Sequence, residues 1–493
     1  MSETIDVDVR DAITAAGLDH PLRGILAGDW ALSDGTADVV EVEDPATATA
    51  VATFQVSSAA KVDHAVRDAA DAQIGWARRD PVERGRIMMR VSEIISENLE
   101  TLARLETIDS GKPLSQATAD IRLSARYFEY YAGVVDKFGG ETIPQPAGTF
   151  TYTTHEPLGV VAHITPWNAP LSQMTRGVAP CLAVGNAVVV KPSELTPLTT
   201  VLAARLMAEA GLPSGVCNVV LGFGDPTGEA LTNHPLVSHI TFTGSLEAGR
   251  RVGAVAAQRI VGINLELGGK SPTIVCADAD LEAAARAGAL AVIRNSGQSC
   301  FATTRLLVDR TVHDAYVELV AGQIEGLSVG HGLDDPDLGP LVSARQRDRV
   351  IGIVREAVAS GADLVTGGSV SRAHGGYFVE PTLLSGVTND MEVARREVFG
   401  PVQSIIAFDT LEQAVALAND TEYGLSAGIF TRDVGQAHRL AAALHAGQVQ
   451  INRYTGAGVE VPFGGYKNSG LGREKGIEAL RHYTQLKSVI VAI

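Results

Sequence analysis

Cys300 is the cysteine whose surroundings are best suited to chemistry. It ends the polar turn Asn295-Ser-Gly-Gln-Ser-Cys300, where a thiol can face a cleft. A thiolate is a strong nucleophile, but a thiol with a pKa of about 8.5 needs a base or a positive field to form it. The other cysteines lie in apolar runs, which is typical of small buried side chains, at Cys181, Cys217 and Cys276. The residues alone leave Cys300 open as a nucleophile or as another buried cysteine.

Glu266 is the second candidate for chemistry. It stands between Leu265 and Leu267, directly before the glycine pair at 268 and 269. Apolar neighbours disfavour the charged carboxylate and raise its pKa toward neutrality, which suits a general base. The alternative is a solvated acid at the end of a strand. A base near Cys300 would supply what that thiol lacks.

An alternation of strands and helices must position these two residues. Short β-branched runs predict buried parallel strands, each followed by a turn and a helix, at 160–164, 187–190, 218–221 and 239–242. This pattern is typical of a doubly wound α/β sheet of dinucleotide-binding type. A second α/β series begins after Gly268, with strands predicted at 273–275, 305–308 and 403–406. The stretch from Val56 to Leu105 repeats apolar residues at helical spacing and predicts a helical N-terminal part.

Two segments predict a separate β element. The stretch from about Lys137 to His155 contains two prolines and lacks helical periodicity, which indicates an extended hairpin. The tail from Leu486 to Ile493 is rich in β-formers. Together they predict a sheet shared between subunits.

Composition narrows the ligands and the compartment. The 493 residues include 40 basic and 57 acidic side chains, a formal net charge of −17 with a sequence pI of about 5.2. Nucleic acid and anionic lipid demand clustered basic residues, so we expect a small-molecule ligand, with no nucleic-acid or membrane partner. The four cysteines are too dispersed for a zinc site or a disulfide framework, and no metal is expected. With no signal-peptide pattern or long apolar run, the sequence predicts a cytoplasmic protein.

The chain resembles the aldehyde dehydrogenase superfamily, in its NAD(P)-dependent, hydrolytic branch. The resemblance covers nearly the whole chain and rests on seven motifs in the order of the family. They are Pro166-Trp-Asn168, Lys191-Pro-Ser-Glu194, Phe242-Thr-Gly-Ser245, Glu266-Leu-Gly-Gly-Lys270, Gly297-Gln-Ser-Cys300, Glu397-Val-Phe-Gly-Pro401 and the run from Pro462 to Glu474.

The resemblance implies a fold and a division into domains. The fold is α/β, with a Rossmann-type cofactor domain, a second α/β catalytic domain and a small β oligomerisation element. We assign 1–136 and 156–267 to NAD binding, 268–462 to the catalytic domain with the nucleophilic cysteine, and 137–155 with 486–493 to the oligomerisation element. Residues 463–485 return to the cofactor domain. A homodimer or homotetramer is expected.

The resemblance also implies catalytic roles. Cys300 attacks the aldehyde carbon, the resulting thiohemiacetal loses hydride to the nicotinamide, and a thioester remains. The side-chain amide of Asn168 stabilises the developing oxyanion together with the backbone N–H of Cys300. Glu266 activates the water that hydrolyses the thioester, which favours the hydrolytic branch over the acylating enzymes.

Cofactor residues follow from the same motifs. Gly244 and Ser245 close a strand and open a helix whose N-terminus suits a pyrophosphate. A carboxylate at Glu194 favours NAD because it would repel a 2′-phosphate, while Lys191 and Ser193 leave NADP open. The full set of expected cofactor residues is Thr165, Trp167, Lys191, Ser193, Glu194, Gly224, Phe242, Gly244, Ser245, Leu267, Glu397 and Phe399.

Departures from the family pattern bear on the substrate. Ala169, Arg176 and Gly177 stand where many members carry an aromatic residue and a Trp-Lys pair, and this form resembles bacterial dehydrogenases of aromatic aldehydes. We therefore expect a bulky or aromatic aldehyde, with Arg176, Phe301 and Tyr454 as substrate contacts. One alternative is a semialdehyde whose carboxylate pairs with Arg176, and another makes Arg176 a plain surface residue. A catalytically silent structural relative is a remote alternative.

Overall fold

A computed structural model of the protein describes residues 2–31, 38–371, 375–454 and 456–493. The helices are α1 (Ser2–Ala15), α2 (Ala59–Arg78), α3 (Pro81–Glu97), α4 (Leu99–Ser110), α5 (Leu114–Ala132), α6 (Pro170–Ala183), α7 (Leu198–Glu209), α8 (Glu229–Asn233), α9 (Leu246–Arg259), α10 (Leu281–Ile293), α11 (His313–Glu325), α12 (Ala344–Ala359), α13 (Glu392–Arg395), α14 (Leu411–Asn419), α15 (Val434–Ala443) and α16 (Glu478–His482). The strands are β1 (Ile25–Leu26), β2 (Asp29–Trp30), β3 (Val39–Asp44), β4 (Thr49–Gln55), β5 (Thr142–Ile143), β6 (Thr149–Pro157), β7 (Val160–Ile164), β8 (Ala187–Lys191), β9 (Cys217–Val219), β10 (Val237–Thr243), β11 (Gly262–Glu266), β12 (Pro272–Val275), β13 (Arg305–Asp309), β14 (Asp363–Thr366), β15 (Thr382–Ser385), β16 (Val402–Phe408), β17 (Ser426–Phe430), β18 (Gln448–Ile451), β19 (Gly470–Leu471) and β20 (Thr484–Ala492).

The first sheet has the order β19-β11-β10-β7-β8-β9-β1-β2. Its strands β11, β10, β7, β8 and β9 are parallel, and the outer three are antiparallel. Chain order therefore reverses at β7, which lies between β8 and β10, as in a doubly wound sheet. The strand predicted at 218–221 ends at Val219 instead, because the N–H of Leu221 is donated to Ser57 Oγ at 3.1 Å and the chain turns at Gly222.

The second sheet has the order β14-β15-β16-β13-β12-β17-β18 and is parallel except at β14. It begins with β12, a few residues after β11 ends at Glu266. The strands predicted at 273–275, 305–308 and 403–406 are its members β12, β13 and β16. The segment between the two sheets is thus the short stretch that follows Glu266.

A third, antiparallel sheet consists of β20, β6 and β5. Strands β20 and β6 pair along their full length, from Thr484 opposite Pro157 to Ala492 opposite Thr149. Apolar side chains on this sheet are exposed, among them Phe150, Leu486 and Ile490. A separate hairpin joins β3 to β4.

Helix α6 is the element that brings the candidate residues together. All of its side chains are buried, and Pro170 at its first position is suited to a helix start because it has no N–H to satisfy. The next free donor, the N–H of Leu171, is donated to Oε2 of the buried Glu106 on α4 at 3.3 Å. This contact fixes the start of α6 and therefore the position of Asn168 just before it.

None of the helices in the described ranges is long and apolar enough to cross a membrane.

Candidate active site

Cys300 follows a loop whose backbone is tightly constrained. The turn after α10 holds Asn295, Ser296 and Gly297 in the left-handed region, with φ of 50°, 52° and 73°. A side chain at Gly297 would collide with the carbonyl of Gly400, so glycine is required there. Such a conformation persists only where surrounding contacts fix it, which is common at active sites. The loop thus presents Cys300, partly exposed, to a cavity of about 400 Å³.

Asn168 lies on the same cavity and is tied to the Cys300 loop. Its Nδ2 donates to the carbonyl of Gln298 at 3.0 Å, and its own carbonyl accepts from Nδ2 of Asn295 at 2.7 Å. An amide nitrogen has two hydrogens, so one remains for a further acceptor. Asn168 and Cys300 both line the cavity, so a neutral donor and the thiol face the same space.

The Cys300 thiol is protonated at rest. Burial raises its pKa to about 12, and Glu397 and Glu266 add to the rise, while Arg176 opposes it. Because only the thiolate attacks efficiently, this cysteine needs a base to become reactive.

Glu266 ends β11 and is buried. Neither of its carboxylate oxygens has a hydrogen-bond partner among the described residues. Burial raises its pKa well above the usual value, the like charge of Glu474 adds to this rise, and Arg176 and Arg473 oppose it. A carboxyl whose pKa is raised by burial, and which is close enough to influence the thiol of Cys300, is suited to exchange protons at this site.

Arg176 is a buried residue of α6 and lines the cavity, so the interpretation as a surface residue is wrong. It forms an ion pair with Glu474, which is also buried. Its guanidinium also lies 5.2 Å from the ring centre of Phe463. The positive charge of Arg176 is therefore compensated from within the protein.

A neighbouring side chain in β7 leaves no room for a side chain at Gly177. A Cβ at this position would lie 2.8 Å from Nε2 of His163 and closer still to another atom of the ring. His163 is fully buried, and its Nε2 is 3.2 Å from the carbonyl oxygen of Gln173. The ring occupies the space that a longer residue at 177 would need.

The expected cofactor residues lie outside the cavity that holds Cys300. Ser245 caps α9 by accepting from the N–H of Ala248 at 3.3 Å, and Gly244 precedes it at a point where a Cβ would meet the ring of Phe242. Thr165, Ser193 and Leu267 are buried at or just beyond strand ends, whereas Gly224 is exposed. Lys191 is buried with its Nζ donating to the carbonyl of Pro192 at 2.8 Å, and burial lowers its pKa to about 8, opposed by Glu194.

Glu397 and Phe399 approach this region from the second sheet. Oε1 of Glu397 accepts from the N–H of Gly269 at 3.0 Å, and burial raises the pKa of Glu397 to about 7. The ring of Phe399 packs edge-on against Trp167 with 5.1 Å between centres. Glu397 and Phe399 precede β16 of the second sheet, and they contact Gly269 and Trp167, which follow strands of the first sheet.

The predicted substrate residues lie together. Phe301 and Arg176 line the cavity, and the ring of Tyr454 packs against Phe301 with 5.9 Å between centres. Glu266 lies within electrostatic range of Cys300 but is not part of the cavity wall as described.

Three charged residues of the site were not identified from the sequence. Glu474 stands in a recognised motif, yet nothing in the sequence shows that it meets Arg176, about 300 positions earlier. Lys475 and Arg294 line the cavity as well. The sequence feature that could have indicated Arg294 is its position directly before the Asn295-Ser-Gly turn.

Comparison with known proteins agrees with this architecture. Residues 30–489 match the model of the aldehyde dehydrogenase family. The chain belongs to this family. The betaine aldehyde dehydrogenase of Brucella anthropi is 42% identical over 477 residues, which cover 96% of this chain and 98% of that protein.

Solved structures agree in the same way. The NAD+ complex of an aldehyde dehydrogenase from Bacillus cereus superposes with a TM-score of 0.95 at 38% identity, covering 97% of this chain and 98% of that one. The indole-3-acetaldehyde dehydrogenase AldA of P. syringae, solved with NAD+, also gives a TM-score of 0.95 at 38% identity, with 98% and 99% covered. The predicted family, α/β fold and enzyme class are confirmed.

Proposed function

We propose that this aldehyde dehydrogenase oxidises an aldehyde to its carboxylic acid with NAD+, through a covalent intermediate on Cys300. The observation that carries the proposal is the meeting of three groups. Cys300 and Asn168 face one cavity, and the buried carboxyl of Glu266 lies near enough to influence the thiol. These are a nucleophile, an oxyanion donor and a base, as acyl chemistry requires.

The first half-reaction uses Cys300 and Asn168. The thiol loses its proton to a base, and its sulfur bonds to the aldehyde carbon, whose oxygen becomes an oxyanion. The free N–H of Asn168 stabilises that charge, and such a donor contributes about 2.7 to 4 kcal/mol. The thiohemiacetal carbon then loses hydride, and a thioester to Cys300 remains.

The second half-reaction uses Glu266. A water molecule attacks the thioester carbon, Glu266 takes the proton of the water, and the bond to the sulfur of Cys300 breaks. The raised pKa of Glu266 makes it a stronger base once it is deprotonated. Gly177 stands where the family pattern has a lysine, so this chain lacks that charged group. The Arg176–Glu474 ion pair supplies charged groups next to Glu266 in its place.

The residues fit a nicotinamide dinucleotide. Ser245 and Gly244 open a fourteen-residue helix, where free N–H groups and the helix dipole favour a pyrophosphate. Lys191 and Glu194 would hold the adenosine ribose, and Glu397 with Phe399 the nicotinamide side. NAD+ accepts the hydride when bound. The carboxylate of Glu194 and the solved NAD+ complexes of relatives support NAD+ over NADP.

The cavity suits a bulky aldehyde. Its volume of about 400 Å³ and the rings of Phe301, Phe463 and Tyr127 on its wall leave room for an aromatic group. Arg176, the residue expected to pair with a substrate carboxylate in a semialdehyde dehydrogenase, has its charge compensated by Glu474. That residue therefore gives no support to a semialdehyde.

Cys300→Ala tests the proposal. The variant should lose NADH formation with any aldehyde by at least about a thousandfold, since no bond to the substrate can form. Binding of NAD+ should remain, as measured by calorimetry, because the thiol bonds to the substrate. Cys276→Ala is the matched control, since this cysteine is buried outside the cavity. Turnover of the Cys300 variant within about tenfold of the wild type would overturn the assignment.

A further inference from the structure

The cavity wall carries an uneven distribution of charge. Five charged side chains line it: Lys112, Asp120, Arg176, Arg294 and Lys475. Two of the cations have carboxylate partners. Nζ of Lys112 bonds to Asp120 at 2.6 Å, and Arg176 is paired with Glu474. The remaining cations are those at 294 and 475.

Arg294 has no ion-pair partner among the residues that the structure describes. Its guanidinium lies 5.8 Å from the ring centre of Phe301, the residue that follows the nucleophile. The side chain is only partly exposed. A partly desolvated guanidinium without a carboxylate partner favours an anion, because its planar donors match carboxylate geometry.

Lys475 adds a second positive charge to the same wall. Its Nζ donates to the carbonyl of Ala457 at 2.9 Å and lies 5.6 Å from the ring centre of Phe463. Burial and the nearby charges of Arg176 and Arg294 together lower its pKa to about 8, opposed by Glu474 and Glu460, and this value is still above neutral pH.

Two carboxylates affect Lys475, and neither compensates it fully. Glu474 is the partner of Arg176, and Glu460 is exposed to solvent, where its charge is screened. The pair Arg294 and Lys475 therefore keeps a positive charge on the cavity wall. Both side chains line the same cavity, so an anionic group bound there is attracted by both charges.

We infer that Arg294 and Lys475 select aldehydes that carry a carboxylate remote from the carbonyl carbon. The inference rests on the proposed function, since it assigns a substrate class to the same cavity. The carboxylate would interact with the two cations while the aldehyde carbon meets Cys300, and the rings of Phe301 and Phe463 would contact the spacer between them. The same charges would repel a quaternary ammonium group, for which proteins use aromatic cages without nearby cations.

The test compares three aldehydes of the same skeleton. They are para-carboxybenzaldehyde, its neutral analogue para-formylbenzamide and the cationic para-trimethylammoniobenzaldehyde. For the wild type we expect kcat/KM to fall by about tenfold or more from the anionic to the neutral substrate, and further to the cationic one. Equal values for the anionic and neutral substrates would overturn the inference. No NADH with any aldehyde would instead overturn the proposed function.

Two variants assign the selectivity to its residues. Arg294→Gln and Lys475→Gln should each lower the ratio of kcat/KM for the anionic over the neutral substrate by about tenfold, mainly through KM. Arg286→Gln is the matched control, because it removes an exposed arginine of α10 that does not line the cavity. The control should leave the ratio unchanged. If both variants match the control, the selectivity has another source and the inference fails. Calorimetric binding of terephthalate to the wild type and to each variant provides a readout independent of turnover.

Discussion

At the scale of single residues, the chemistry depends on ionisable groups that are buried close to one another. Glu266 and Glu474 are both buried, and the charge of Glu474 adds to the raised pKa of Glu266, while Arg176, the ion-pair partner of Glu474, opposes it. Removing one carboxylate must change the protonation of the other. The pH dependence of turnover therefore reports this arrangement.

Glu474→Gln should shift the acidic limb of the pH profile of kcat to lower pH. Glu266 acts as a base only when deprotonated, so turnover rises as pH rises through its pKa. The substitution removes a like charge and frees Arg176 to interact with Glu266, and both changes lower the pKa of Glu266. The profile is measured with one aldehyde under saturating NAD+.

The matched control for that profile is Glu478→Gln, which removes an exposed carboxylate paired with Arg481. It should leave the limb in place. If the acidic limb of the kcat profile of the Glu474 variant lies at an unchanged or a higher pH, Glu266 is not the base that limits turnover.

At the scale of elements, helix α6 and strand β7 are fitted to each other. Gly177 touches the His163 ring so closely that no Cβ fits, and the ring is fixed by burial. The family pattern at this position was visible in the sequence, but its physical cause was not. Only the packing of α6 on the sheet shows that a histidine fills the place of a longer side chain.

Gly177→Ala should destabilise the protein by about 1–3 kcal/mol, although alanine is the better helix former. The added methyl group overlaps the ring of His163. In a protein that already carries His163→Ala, the further change Gly177→Ala should cost little stability, since the space that the ring occupied is then free. Chemical denaturation measures the cycle, and strictly additive free energies of unfolding would contradict the packing account.

At the scale of the whole molecule, the sheet of β5, β6 and β20 has apolar side chains exposed in a single chain. Leu486, Ile490 and Phe150 are among them, and Ile493 at the chain end is exposed too. Leu486 and Ile490 lie on one face of the sheet and Phe150 on the other, and exposed apolar side chains of this kind are typical of interaction surfaces. We propose that this sheet is buried between copies of the chain in a homodimer or homotetramer.

Ile490→Lys should therefore shift the assembly toward smaller species. A charge in a buried apolar contact is strongly unfavourable, whereas on a free surface it is tolerated. Analytical ultracentrifugation of the variant and of Val434→Lys, an exposed control on α15, separates the two cases. An unchanged sedimentation profile for Ile490→Lys would place the subunit contact elsewhere.

Much of this molecule could be predicted from sequence because its signals are local. Strand runs, the helix start after Ser245 and the turn before Cys300 each lie within a few residues. The pairing of Arg176 with Glu474 and the charge at Arg294 and Lys475 could not be predicted, since they depend on which distant segments pack together. The β9 boundary also escaped, because Leu221 gives its N–H to a serine far away in the chain.

The most direct test of the covalent mechanism is the Glu266→Gln variant under rapid mixing. Gln keeps the shape of the side chain but cannot take the proton of the attacking water. Mixing the variant with NAD+ and aldehyde should give a burst of NADH of up to about one equivalent per site, followed by a slow steady state. If Glu266 also takes the proton of the thiol, the burst is slower and its rate rises with pH, because the thiolate then forms without this base. Mass spectrometry of the quenched protein should then find the acyl group on Cys300. Steady-state turnover at the wild-type rate, with no adduct on Cys300, would contradict the account.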